Sequence, residues 1–239
     1  MKKVAVCISG HLRGFKKGYE KFHEMIISPN SQHCEFDMFI DTWAADDWRG
    51  DYQEKNMNNL TGGTIESAMN LYQPILLRIQ KNVVFDTSKY LQYIRPGDVK
   101  KRSRGEHIPA MYYKIYKSNE LKSSFENEFG FEYDLVIRHR SDWAFKHPLI
   151  LTPEIFENIK NTVFIPHVEG PTDLQEWCPD VFAFSSSANM NYYSSLINRL
   201  DYLVEKHGVF RPEPLLYFHL NENTSFDINI FDHEWEVVQ

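Results

Sequence analysis

Cysteine is scarce in these 239 residues: three in all, Cys7, Cys34 and Cys178, far apart from one another. An odd, dispersed set offers neither a disulfide framework nor paired CxxC metal ligands, and it points to a reducing compartment. Histidine is more frequent, but none falls in HExxH spacing, which argues against a zinc hydrolase. There is no GxSxG nucleophile elbow, no GxGxxG loop and no Walker loop. An excess of positive charge is also missing. With 26 Lys and Arg against 33 Asp and Glu, the net charge of −7 disfavours a broad nucleic-acid-binding face. Long apolar runs are absent as well. The stretch after Met1-Lys2-Lys3 is too short for a signal-peptide core, and nothing approaches membrane-spanning length, so a cytoplasmic protein without a transmembrane segment is expected. No internal repeat or low-complexity tract suggests a solenoid or a tethered multi-module chain.

What is present suits one α/β domain spanning residues 1–239. A chain of this length buries roughly 70% of its unfolded surface, enough to need no covalent staple. Val4 to Ile8, Phe36 to Trp43, Leu135 to Ile137, Val163 to Pro166, Val181 to Phe184 and Phe226 to Phe231 read as strands, with Ile75 to Ile79 and Val83 to Phe85 as extended pieces. Between them lie helical patterns. One runs through Tyr19, Phe22, Met25 and Ile26 to a stop at Pro29; others cover Ile65 to Tyr72, Met111 to Phe129 with Gly130 as cap, and Pro212 to Leu220. Thr152-Pro153-Glu154 has the order of a helix start. Met190 to Leu203 reads as one long amphipathic helix closed by Gly208. Strand and helix alternate along the whole chain, which predicts a three-layer α/β sandwich on a mainly parallel central sheet. Two polar stretches, Ala44 to Gly63 and Arg95 to His107, are longer than connections require. The second holds the basic cluster Lys100 to Arg104, readable as a solvated loop or as a phosphate-gripping lid.

In such sheets ligands gather at the carboxyl ends of strands. After the first strand, Ser9-Gly10-His11-Leu12-Arg13-Gly14 offers glycines for close backbone approach and a guanidinium for a phosphate, or else an ordinary tight turn. After the second, Asp41 and Trp43 suit a ribose and a base, or a cap and a core ring. The third site is the most informative. If the strand from Leu135 stays extended, Arg138, Arg140 and Asp142 share one face. Two arginines and a carboxylate suit a diphosphate with Mn²⁺ or Mg²⁺ on Asp142; the alternative is an internal ion-pair ladder. Asp180, just before an apolar strand, is the candidate general base, with Asp173 and Glu176 as substitutes and capping as the alternative. Glu213, at a helix start that favours an acid whatever its use, is a second catalytic candidate.

Several of these segments together resemble a family. Val4-Ala-Val-Cys-Ile-Ser-Gly-His-Leu-Arg13, Phe36-Asp-Met-Phe-Ile-Asp-Thr-Trp43, Tyr112-Tyr-Lys-Ile-Tyr-Lys-Ser-Asn-Glu-Leu121, Tyr133-Asp-Leu-Val-Ile-Arg-His-Arg-Ser-Asp142 and Asp180-Val-Phe-Ala-Phe184 occur in order. The set is similar to small GT-A-type nucleotide-sugar glycosyltransferases of bacterial polysaccharide loci and large DNA viruses. The resemblance implies a GT-A-like sandwich, a nucleotide-sugar donor held by Ser9, Gly10, Arg13 and Asp41, a metal on Asp142, and a glycan or lipid-linked acceptor. At the DxD position this chain reads Arg140-Ser141-Asp142, with a single carboxylate, which puts the metal in question. Two other classes stay open: another phosphate-handling enzyme, such as a nucleotidyltransferase or nucleotide-sugar hydrolase, and a non-catalytic nucleotide- or carbohydrate-binding module.

Overall fold

The computed structural model describes residues 1–44, 62–94, 105–168 and 176–238. In chain order the strands are β1 (Lys2–Gly10), β2 (Cys34–Trp43), β3 (Leu76–Gln80), β4 (Leu135–His139), β5 (Trp143–Phe145), β6 (Thr162–Pro166), β7 (Phe182–Ser185), β8 (Asp227–Phe231) and β9 (Trp235–Val237). Seven of them form one sheet in the order β3-β2-β1-β4-β7-β6-β8, while β5 and β9 pair as a small second sheet. The large sheet is mainly parallel, as the alternation of elements predicted. Its exception is β7, antiparallel to both β4 and β6. Side-chain alternation marks a strand's faces but not its direction, so this reversal was not legible in the sequence.

Helices cover both faces of the sheet. The principal ones are α1 (Phe15–Phe22), α2 (Gly62–Tyr72), α3 (His107–Phe129), α4 (Pro153–Asn158), α5 (Ser187–Ser194), α6 (Leu200–His207) and α7 (Pro212–Asn221). Strands buried on both faces read as unbroken apolar runs, and β1 shows how the two layers divide them. Val4, Val6 and Ile8 join Leu135, Ile137 and Phe182 under Phe15 and Phe22 of α1. Ala5 and Cys7 face the other way and join Val136 and Ala183 under Tyr112 of α3, Tyr193 of α5 and Leu215 of α7.

Helix ends follow local chemistry. Gly130 and Gly208 close α3 and α6 in left-handed conformation. Three local expectations change. Val83 to Phe85 form no strand. Pro29 lies inside the last turn of the first helical segment, after a π-helical turn over His23–Ile27. The expected helix from Met190 to Leu203 is interrupted by a 3₁₀ segment, Ser195–Arg199. At that break the hydroxyls of Ser194 and Ser195 donate to the carbonyls of Asn191 and Tyr192, at 3.1 and 2.7 Å. Serine back-bonding of this kind competes with regular α-helix geometry.

Candidate active site

From β1 the chain builds outward through β2 to β3, then returns to place β4 on the opposite flank of β1. The strand order therefore changes direction between β1 and β4, a switch point of the kind where ligands gather at the strands' carboxyl ends. Gly10 ends β1 with φ of +94°, a conformation that favours glycine, and turns the chain into His11-Leu12-Arg13. β4 ends at His139, and the next residues form a tight turn in which the Trp143 N–H donates to the Arg140 carbonyl at 3.0 Å. Ser141 Oγ lies 3.2 and 3.1 Å from the carbonyls of His11 and Arg13, so its hydroxyl staples the two loops together. Gly18 of α1 packs on the same turn. A Cβ there would sit 1.8 Å from the Ser141 carbonyl oxygen.

Where the two loops meet, Arg13 and Arg140 converge on Asp142. Arg140 Nε donates to Oδ1 at 2.5 Å, and an Arg13 terminal nitrogen stands 3.4 Å from Oδ2. The Asp142 side chain is only 9% exposed, whereas those of Arg140 and Arg13 are 26% and 37% exposed. The carboxylate thus lies inside and the guanidiniums reach the solvent. Arg13 Nε is buried without a hydrogen-bond partner.

Arg138 does not share a face with these groups, contrary to the expectation of an unbroken strand. The turn after His139 ends the period of two, and Arg138 points into the layer of α3, α5 and α7. There its terminal nitrogen donates to the His139 carbonyl at 2.5 Å, and its Nε is buried without a partner. Burial draws the Arg138 pKa down, opposed by Tyr193 and Asp180.

The reversal of β7 brings the general-base candidate to this end of the sheet. The Arg140 N–H donates to the Val181 carbonyl at 3.0 Å, so Asp180 lies beside the end of β4. Asp180 is buried, and its Oδ2 has no hydrogen-bond partner. Two residues earlier, the Cys178 N–H donates to the Glu213 carbonyl at 3.2 Å, which ties the first turn of α7 to the same segment. Both acids act on Tyr112, whose hydroxyl pKa is raised by burial first and then by Asp180, Tyr193 and Glu213. The two catalytic candidates therefore occupy one neighbourhood. Glu176 is exposed. Asp173, most of the stretch from Ala44 to Gly63, and the cluster Lys100 to Arg104 lie outside the described residues.

Ser9 is buried with its hydroxyl unpartnered, next in register to Asp41. Asp41 itself departs from the expected ligand contact. It is fully buried, accepting from Lys114 Nζ at 2.5 Å and from Arg78. Lys114 also donates to the Thr42 carbonyl at 3.0 Å and lies 3.9 Å from the Trp43 ring centroid. Arg78 continues the network to Glu120 and to the Lys117 carbonyl. Asp41 thus holds two cations in the interior, one on each carboxylate oxygen, instead of facing a ribose. Neither cation was singled out in the sequence, although spacing carried a signal for one of them. Lys114, Ser118, Lys122 and Glu126 recur every four residues along α3 and are all buried, so they form one polar stripe facing inward.

The donor set around Asp142 fits a divalent cation poorly. Both oxygens already face guanidiniums, and among the described residues no group of three or more His, Cys, Asp or Glu could hold a metal. A divalent ion entering there would share one carboxylate with two positive neighbours.

No protein-family model and no curated protein matches the chain in sequence. Among solved structures the chain is similar to mouse xyloside xylosyltransferase 1 in its apo form, at 9% identity and a TM-score of 0.49, over 97% of this chain and 85% of that one. Among the described residues no helix is long and apolar enough to cross a membrane.

Proposed function

We propose that this protein is a GT-A-type glycosyltransferase that moves a sugar from a nucleoside diphosphate donor to a glycan or lipid-linked acceptor. The observation that carries the reading is the convergence of Arg13 and Arg140 on Asp142 at the switch point between β1 and β4. Two guanidiniums against one carboxylate leave net positive charge, partly exposed, at the carboxyl end of the sheet, where a diphosphate needs charge-assisted donors. The sequence resemblance, with its donor-binding Ser9, Gly10 and Arg13, leads to the same place. On this reading Arg138 lies beside Asp180 in the buried layer, and Asp41 supports the carboxyl end of β2.

In the transfer step a new bond forms between the acceptor oxygen and the anomeric carbon of the donor sugar. The bond from that carbon to the diphosphate breaks, and the nucleoside diphosphate leaves with the electron pair. The acceptor's hydroxyl proton passes to the Asp180 carboxylate, with Glu213 as the alternative base. Asp180 lies between Cys178 and Val181, both held by main-chain hydrogen bonds, and a positioned carboxylate suits that role.

The test is a thermal-shift screen of the protein against uridine, guanosine and thymidine diphosphate sugars, followed by an assay of nucleoside diphosphate release with and without glycan acceptors. A ligand at a hundred times its dissociation constant stabilises by about 2.7 kcal/mol, so a donor should stand out. Release accelerated by an acceptor supports transfer. Release to water alone at the same rate would make the protein a nucleotide-sugar hydrolase, and binding without release would make it a recognition module.

A further inference from the structure

We propose that the Arg13–Asp142–Arg140 triad binds the donor's diphosphate without a divalent metal ion, with Asp142 acting as the anchor of the two guanidiniums and not as a metal ligand. This rests on the donor reading above and deepens it.

Three observations lead there. Asp142 is spent internally, with Arg140 Nε at 2.5 Å from one oxygen and Arg13 at 3.4 Å from the other. The Asp142 side chain is nearly buried while both arginines are partly exposed, so an arriving anion meets guanidinium before carboxylate. Among the described residues Arg140 bonds through Nε alone, which leaves its two terminal nitrogens as a fork, and Arg13 Nε is buried without a partner.

A fork of parallel N–H donors matches the oxygens of a diphosphate, and arginine stays charged at any working pH. Arg140 is further fixed by its backbone, since its N–H donates to Val181 and its carbonyl accepts from Trp143, both at 3.0 Å. An arginine held at both the backbone and Nε loses little freedom when it grips a phosphate. A metal ion bound at Asp142 would have to displace that Nε and then stand beside both guanidiniums. The triad does the charge-neutralising work a cation would otherwise do.

The experiment is isothermal titration calorimetry of uridine, guanosine and thymidine diphosphate into the full-length protein, first stripped with EDTA and then in excess Mn²⁺. The expected result is binding by at least one of them in EDTA, with affinity changed less than about threefold by Mn²⁺. Arg13→Ala and Arg140→Ala should each weaken that metal-free binding by tenfold or more, as loss of a charge-assisted pair implies. Arg140→Lys, which keeps the charge but not the fork, should recover only part of it. Thermal melts of each variant check that the fold survives. Where an alanine variant does not fold, Arg140→Lys and the Mn²⁺ comparison on the unaltered protein decide the matter.

Binding that appears only with Mn²⁺, and whose Mn²⁺ dependence is abolished in Asp142→Asn, overturns the inference while leaving the donor reading in place. Absence of binding by all three in both buffers takes down the donor reading and this inference together.

Discussion

The main-chain N–H of Arg140 donates to the carbonyl of Val181 at 3.0 Å. This one bond sets the end of β4, where the guanidiniums lie, against the beginning of β7, where Asp180 lies. It follows from the antiparallel entry of β7 into an otherwise parallel sheet. The turn that carries Arg140 and Asp142 and the segment that carries Asp180 are thereby held against each other by main-chain bonding.

Asp180→Asn is expected to lower turnover by about 10²–10⁴-fold, the usual worth of a positioned general base. Nucleoside diphosphate affinity should stay nearly unchanged. Steady-state kinetics beside calorimetry checks this. Loss of donor affinity would make Asp180 a donor ligand, and full activity would transfer the role to Glu213.

The buried pair of Asp41 and Lys114 predicts an effect on stability. Burial pulls the Lys114 pKa down and the Asp41 hydrogen bond opposes it. Removing one partner of a buried pair leaves an uncompensated charge, at a cost of about 3–5 kcal/mol. Asp41→Ala should therefore lower the urea midpoint strongly. Asp41→Ala combined with Lys114→Met should cost less than the two single changes added together. Additive effects would show that the pair is not coupled.

Gly18 should tolerate no side chain. Its Cβ would collide with the Ser141 backbone at 1.8 Å, and neither backbone can yield without moving the turn that carries Arg140 and Asp142. Gly18→Ala is expected to cost about 1–3 kcal/mol, as overpacking does, and to weaken nucleoside diphosphate binding although Gly18 touches no ligand. Equal loss of stability with unchanged affinity would separate the turn from the site.

His139 predicts acid sensitivity. Burial first, then Arg138 and Arg140, pull its pKa from 6.5 down to about 3. The folded protein thus binds fewer protons there than the unfolded chain between these two values. The His139 contribution is fully present above about pH 6.5 and is lost as pH falls toward 3, at up to about 1.4 kcal/mol per pH unit. His11 and His219, each lowered to about 4 mainly by burial, act in the same direction. Denaturant midpoints measured from pH 7 to pH 4 should fall, and His139→Leu should flatten the slope. An unchanged slope would mean that the His139 ring is solvated in the folded protein.

The sequence by itself determined most of the elements. Apolar runs such as Val4 to Ile8 read as buried strands, and Gly130 and Gly208 were legible as helix ends because a left-handed residue there strongly favours glycine. The placement of Arg13 and Asp142 after the first and fourth strands was legible too, since a strand's carboxyl end can be read from where its apolar run stops. Tertiary structure alone decided the rest. Arg138 shares the face of Val136 within β4, and the turn at Arg140 carries Asp142 away from it, because strand periodicity ends where the ladder does. The partners of Asp41 come from β3 and α3, 37 and 73 residues away in the chain, and local patterning says nothing about such pairing. Asp180 lies beside the end of β4 only because β7 runs backward, a choice made by its contacts with β4 and β6, not by its own alternation of side chains.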